Sequence, residues 1–230
     1  ARLVVELERA EGAAFDIALE LSRKRRSAAE RMRGALEAEL EDLNMARTSF
    51  VVHFETDDAP EASLRAYEER GWSLTEKGFD QIEFLISPNM GEEPKPLSKI
   101  ASGGELSRIM LVMKSALAER DHVETYVFDE VDTGIGGSTA DMVGWKIART
   151  GKDRQVLCIT HLPQIASLSD HHYLVEKQLL DGRTQSTIVP LKEAQRVEEI
   201  ARMLGGTRVT TTTLEAAREM IHRPLIEGVR

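Results

Sequence analysis

The sequence predicts an α/β fold: a largely parallel sheet flanked by helices, preceded by one long helix. Three observations predict it. Residues 1–45 contain no proline and repeat apolar side chains at steps of three and four. From Ser102 onward, helical stripes alternate with short apolar runs. Two of those runs, 125–128 and 156–160, are continuous rather than alternating, which is the pattern of strands covered on both faces.

The elements follow in order. In the first helix the apolar series is Leu7, Ala10, Ala14, Ile17, Leu21, Ala28, Met32, Ala35, Leu40 and Leu43, with Arg25 filling the gap in the seam. A seam this rich in alanine suits close packing against a partner helix, as in a coiled coil. The basic cluster Arg23-Lys24-Arg25-Arg26 reads either as a solvated face or as a contact for DNA or phosphate. The pattern breaks at 44–47. Residues 48–54, rich in β-branched and aromatic side chains, predict a strand. Residues 57–71 are polar and predict a loop with a short helix around 62–70. Residues 80–86 predict a second strand, and Pro88, Gly91, Pro94 and Pro96 an irregular stretch after it. Leu106, Ile109, Met110, Met113 and Leu117 form a helical stripe. A helix is expected over 138–149, strands over 173–176 and 186–191, and helices over 193–204 and 214–221.

Composition narrows the function. The 230 residues are 41% apolar, enough for one substantial core or two small ones. No apolar run reaches the ~18 residues of a membrane span, so no membrane partner is expected. The chain opens on Ala1-Arg2-Leu3 and runs directly into charged helical sequence, without a secretory signal. Lacking an initiator methionine, it reads as a fragment of a longer protein. Cys158 is the sole cysteine, which excludes an internal disulfide and fits a reducing cytoplasm. Net charge is −9, whereas dedicated nucleic-acid-binding domains are usually basic. Contact with DNA is therefore expected to be local, or made by another part of an assembly.

Four short segments carry chemistry. In Ser102-Gly103-Gly104-Glu105, serine at the N-cap and glutamate at N3 make a capping box worth about 1 kcal/mol. Two glycines in the first helical turn cost about 1 kcal/mol each against alanine. They suggest room for a ligand to approach the backbone amides, where the helix dipole favours an anion. Asp129-Glu130 follows an apolar strand, at the strand end where α/β sheets place ligands. Asp129 suits Mg²⁺, and Glu130 suits a water awaiting deprotonation; the bland alternative is a pair of solvated acids. Asp132-Thr133-Gly134-Ile135-Gly136-Gly137 reads as a flexible turn into a helix capped by Ser138, or as backbone offered to an interface. His161 ends the run 156–160 on the same expected sheet edge, where an imidazole senses a phosphate or holds a water. His171-His172 beside Asp170 lacks a third ligand at useful spacing for a metal.

In this order, Ser102 to Glu105 with Leu106-Ser107-Arg108, Tyr126 to Glu130, Asp132 and His161 resemble the signature motif, Walker B, D-loop and switch histidine of ABC-type ATPases. The long first helix narrows the resemblance to the coiled-coil branch that includes the structural-maintenance-of-chromosomes (SMC) proteins. Within that branch, 99–111, 128–137 and 160–166 look like its bacterial double-strand-break repair members, over roughly residues 40–222. The resemblance implies an ABC-type head lobe acting in DNA repair and recombination, using ATP and Mg²⁺. It implies that residues 1–45 are the returning arm of a coiled-coil stalk and 46–230 the C-terminal head lobe. Ser102, Gly103 and Gly104, with Glu105 in the same cofactor-binding set, would face the γ-phosphate of an ATP held on an opposite head. Asp129 would support Mg²⁺, Glu130 would be the catalytic base, and Asp132 would couple the two sites. His161 would contact the γ-phosphate on its own head, and Arg108 would help hold the head interface. The implied partners are an N-terminal lobe of the same protein, a second copy through the heads, and DNA through the full assembly. The implied location is cytoplasmic and nucleoid-associated.

One departure bears on activity. No Gly-x-x-x-x-Gly-Lys-Ser/Thr phosphate loop occurs, and Gly205-Gly206-Thr207 does not supply one. In the resembled family that Walker A loop lies in the N-terminal lobe, so the isolated chain is expected to be inactive. Two other readings stay open: a different ABC ATPase subunit, and a non-catalytic coiled-coil interaction module. A transporter subunit fits poorly with the long helix, and an excision-repair type would need cysteine zinc sites that a single cysteine cannot make.

Overall fold

A computed structural model describes residues 2–56, 73–87, 89, 91–100, 102–117, 122–180 and 183–224. The short helix expected around 62–70 lies outside these residues, as do Pro88 and Ala101. Contacts divide the chain into two units: Ala1–Glu41 with Met45–Ile100, and Asp42–Asn44 with Ala101–Arg230.

In the first unit, α1 runs Arg2–Asp42, 41 residues, or about 60 Å at 1.5 Å per residue. It stops where Asn44 takes a left-handed φ of 59° and Met45 N–H bonds back to the Leu40 carbonyl at 3.0 Å. That is the long bond of a Schellman stop, with asparagine in the position glycine usually fills. The face that α1 buries within the chain is largely distinct from the seam expected to meet a partner helix, the two sharing Leu40. Phe15, Ala18, Ser22, Leu36 and Leu40 are buried, whereas Leu7, Ala10, Ala14, Ile17, Ala28 and Ala35 are exposed. The two faces lie about one residue apart, roughly 100° around the helix. Phe15 and Ala18 win the inner face because Phe79 packs on them, its ring 6.1 Å from that of Phe15.

Strands β1 (Ser49–Phe54) and β2 (Ile82–Ser87) pair antiparallel with Phe50 opposite Ile86, both fully buried. A two-residue strand β3 (Lys95–Pro96) adds to β2 inside the stretch expected to be irregular. Proline is tolerated there because β3 is an edge.

The basic cluster is partly consumed within this unit. The Asp80 carboxylate, with no exposed side-chain surface, accepts from Ser22 Oγ at 2.7 Å and Arg25 Nη1 at 3.0 Å. Arg26 donates to the Thr56 carbonyl at 2.7 Å and lies 4.4 Å from the centre of the Phe54 ring. Lys24 pairs with Glu20 one turn earlier. Arg25 and Arg26 are therefore struts, and a DNA contact by these two is corrected.

The second unit contains α2 (Gly103–Ala116), β4 (Thr125–Phe128), α3 (Gly137–Thr150), β5 (Gln155–Cys158) and a single turn, α4 (Pro163–Ala166). It continues with β6 (Tyr173–Leu180), β7 (Arg183–Pro190), α5 (Glu193–Gly205) and α6 (Thr211–His222). β4 and β5 pair in parallel across α3, the alternation expected from sequence. Ile109, Leu111 and Val112 of α2, with Ala140 and Val143 of α3, supply fully buried core. Tyr126 and Phe128 point into the core, whereas Val127, Leu157 and Ile159 are exposed. The expectation of strands covered on both faces thus holds for one face only. Parallel pairing is confined to β4–β5 among the described residues, because β6 and β7 form an antiparallel hairpin with Val175 opposite Ile188. Each strand of that hairpin is longer than its apolar residues indicated.

Candidate functional site

The site lies in the second unit, where β4 and β5 end and α2 begins. Ser102 has extended backbone and caps α2, its Oγ accepting from the Glu105 N–H at 3.4 Å. Loop 130–133 lies against the first turn of that helix. A Cβ on Gly103 would overlap the Glu130 carboxylate, and one on Gly104 would sit 2.9 Å from the Thr133 carbonyl oxygen. The sequence reading of both glycines as room for a ligand is therefore incomplete: they are needed inside the chain. At Gly103 the neighbour is a movable side chain, so a ligand can still approach the amide. At Gly104 the neighbour is backbone. Gly104→Ala is expected to lower stability by about 1–3 kcal/mol through overpacking, and Gly103→Ala by less. Urea midpoints of the two variants check this ordering.

Arg108 reinforces the same contact. It is 7% exposed and donates to the Thr133 carbonyl at 2.9 Å. Burial holds its guanidinium below the usual arginine range, with Glu105 opposing. Placed so, Arg108 is an internal strut, which corrects its expected place at a head surface.

Asp129 and Glu130 are both exposed just beyond β4. Asp129 Oδ1 accepts from the Glu130 N–H at 2.9 Å. Glu130 has a left-handed φ of 59°, a conformation costing a non-glycine residue about 1–2 kcal/mol. Two local bonds hold it: the one from its own N–H, and its carbonyl accepting from Thr133 N–H at 3.1 Å. Strain of this kind concentrates at functional sites. Because the backbone turns at Glu130, the alternation of side chains along an extended strand does not carry through this pair.

Asp132 is buried and accepts two hydrogen bonds on Oδ2, from Thr160 Oγ1 at 2.6 Å and the His161 N–H at 2.8 Å, with the His161 ring nitrogen Nδ1 3.0 Å away. This joins the ends of β4 and β5. Sequence reasoning missed Thr160 as a participant, and the polar residue directly before His161 was the available signal. The glycines after Asp132 serve the turn, Gly134 and Gly137 having positive φ. α3 starts at Gly137 with Gly136 as its N-cap, not Ser138.

Cys158, at the end of β5, has its thiol pushed up to about 12 by burial and then by the Asp132 and Asp129 carboxylates. All three causes disfavour the thiolate, the species that reacts. Labelling by iodoacetamide at pH 8 is expected to run ~10³-fold slower than at an exposed cysteine of pKa ~8.5. A rate comparable to glutathione would contradict that environment.

Asp170, His171, His172 and His222 line one cavity with Arg196. No group of three or more His, Cys, Asp or Glu among the described residues is placed to hold a metal. No helix among them is long and apolar enough to cross a membrane.

No family model matches the chain. It is 42% identical over 215 residues to DNA repair protein RecN of Bacillus subtilis, covering 90% of this chain and 36% of that protein. It is 52% identical over 144 residues to DNA repair protein RecN of Xylella fastidiosa, covering 63% of this chain and 26% of the relative. Among solved structures, the Smc head domain with a coiled coil and joint from Pyrococcus yayanosii is 18% identical, with a TM-score of 0.49, covering 74% of this chain and 28% of that one. The chain thus spans between about a quarter and little more than a third of the length of the curated relatives it matches. Over that span it belongs with the bacterial DNA repair protein RecN, to whose C-terminal part it corresponds.

Proposed function

We propose that this chain supplies half of an ATP-hydrolysing site in a RecN-like DNA repair ATPase, and that a Walker A-bearing N-terminal lobe supplies the rest. The observation that carries the proposal is the convergence of Asp129, Glu130, Asp132 and His161 at adjacent strand ends, beside the start of α2. ATP and Mg²⁺ fit this donor set. Asp129 offers a hard oxygen ligand at the end of β4, exposed and with one oxygen already held by the Glu130 N–H. When bound, Mg²⁺ would offset charge on the phosphates. Glu130 takes a proton from water, His161 faces the terminal phosphate, and Ser102 with Gly103 faces a phosphate held by a second head. Glu105 stabilises that helix start, and Asp132 ties the D-loop to the switch histidine.

The need for another lobe has physical support. Val127, Leu157 and Ile159 leave an apolar face exposed. Among the described residues β5 pairs only with β4, and β6 only with β7, so each leaves an edge of unsatisfied backbone groups. Leu3, Leu7 and Ile17 on α1 are likewise exposed at coiled-coil spacing. This supports residues 1–45 as one arm of a stalk and 46–230 as the lobe. A homodimer through the heads, DNA binding by the whole assembly and a cytoplasmic, nucleoid-associated location complete the reading.

The test is reassembly. The chain alone is expected to hydrolyse almost no ATP, and co-expression with a Walker A-bearing N-terminal lobe from RecN should give ATP turnover and ATP-dependent association of heads. Association that ignores ATP, with no turnover, would favour a non-catalytic interaction module instead.

A further inference from the structure

We infer that Thr160 is a positioning residue for His161: its hydroxyl fastens the backbone around the histidine to the buried Asp132, and so fixes the place from which the imidazole projects. Three hydrogen bonds carry this. Thr160 Oγ1 donates to Asp132 Oδ2 at 2.6 Å and accepts from the Leu162 N–H at 3.0 Å. The His161 N–H donates to the same Asp132 oxygen at 2.8 Å. A hydroxyl has one proton and two lone pairs, so Thr160 serves both neighbours at once. Its bond to Asp132 lies in the short range of a hydroxyl on a carboxylate, and that carboxylate is buried, so little water competes for it.

The histidine needs that restraint. Its side chain is 72% exposed, so packing alone does not place it. On one side, the last strand-like bond runs from the Ile159 N–H to the Phe128 carbonyl. On the other, α4 lies tightly against α3, where a Cβ on Gly144 would come within 3.2 Å of the Gln164 carbonyl oxygen and 3.3 Å of the Ile165 Cα. The N–H groups of His161 and Leu162 fall between β5 and α4, and Asp132 and Thr160 supply their acceptors. The Thr160 hydroxyl therefore closes the gap between a fixed strand and a fixed turn, at the residue that carries the imidazole. The catalytic meaning rests on the ATP reading above; the restraint does not.

Amide hydrogen exchange of the chain, followed by NMR, reads the restraint directly. In the wild type the His161 and Leu162 amides are expected to exchange at least about tenfold slower than unstructured ones. Thr160→Val removes the hydroxyl at nearly constant shape and should speed exchange at Leu162 about 5–10-fold, whereas Thr160→Ser keeps the hydroxyl and should restore it. Unprotected wild-type amides, or a Leu162 rate unchanged in the valine variant, overturn the inference. Should the valine variant unfold, the wild-type rates decide it. In the reassembled head, Thr160→Val should lower kcat about 10–100-fold with KM for ATP within about twofold, and Thr160→Ser should recover most of the loss. Added to His161→Ala, Thr160→Val should lower kcat no further, since it acts through that ring. A valine head that turns over like the wild type, or additive losses, would remove the positioning role. A wild-type head without turnover would remove the ATP reading and leave the exchange result standing.

Discussion

Glu130→Gln in the reassembled head is expected to lower ATP turnover by about 10²–10⁴-fold, the range for loss of a general base. Glutamine has nearly the same shape and cannot take a proton. The contact with Gly103 and the left-handed backbone at Glu130 do not depend on charge, so folding should be little affected. Binding should also survive, because Asp129, His161 and the start of α2 are untouched. ATP-bound heads should therefore accumulate as dimers, which sedimentation with and without ATP detects. Turnover equal to that of the wild type would move the base elsewhere. A loss of turnover accompanied by a loss of ATP binding would make Glu130 a binding group instead. The strained φ of 59° at this residue is the structural reason to expect a specific task. Loop 130–133 holds a side chain there at an energetic cost that glycine would avoid.

Asp80→Ala is expected to destabilise the first unit by about 3 kcal/mol, the low end for removing one partner of a buried ion pair. The low end applies because Arg25 keeps 29% of its side chain exposed and can recover some hydration. Ser22 Oγ, 2.7 Å from the lost oxygen, would be left buried without that acceptor. The effect should appear as a lower urea midpoint, and as earlier hydrogen exchange in the turn of α1 around Ser22 and Arg25. Asp80→Asn keeps an acceptor for Ser22 and should lose less. An alanine variant as stable as the wild type would show that Arg25 is held by solvent rather than by the buried carboxylate. The same pair explains why part of a basic run in an acidic chain is not a nucleic-acid patch: its charge is neutralised inside the unit.

Much of the local structure was legible. The stop of α1 at Asn44, the existence of strands β1 and β2 and the β4–α3–β5 alternation follow from turn chemistry, β-branched content and apolar runs, whereas the antiparallel pairing of β1 with β2 came only from the structure. The β6–β7 hairpin was only half legible, because its distal residues are polar and carry no apolar period. The signal present was the dipeptide Asp181-Gly182, a strong hairpin turn, although those two residues lie outside the described structure. The face of α1 that the chain itself buries was not legible, for a physical reason. Two apolar stripes run beside each other, and periodicity cannot say which meets Phe79 and which stays exposed.

By itself, the sequence determined the kinds of groups at the site and their order: a capped helix start, an acid pair after an apolar strand, and a histidine after the next. Those depend on neighbours in the chain, through capping, strand ends and turns. Only the tertiary structure decided which groups touch. It placed Gly104 against the Thr133 backbone, buried Arg108 beneath the same loop, and brought the Asp132 carboxylate onto Thr160 and His161 nearly thirty residues away. Hydrogen bonds at that separation are set by the pairing of β4 with β5, which spacing along the chain does not encode.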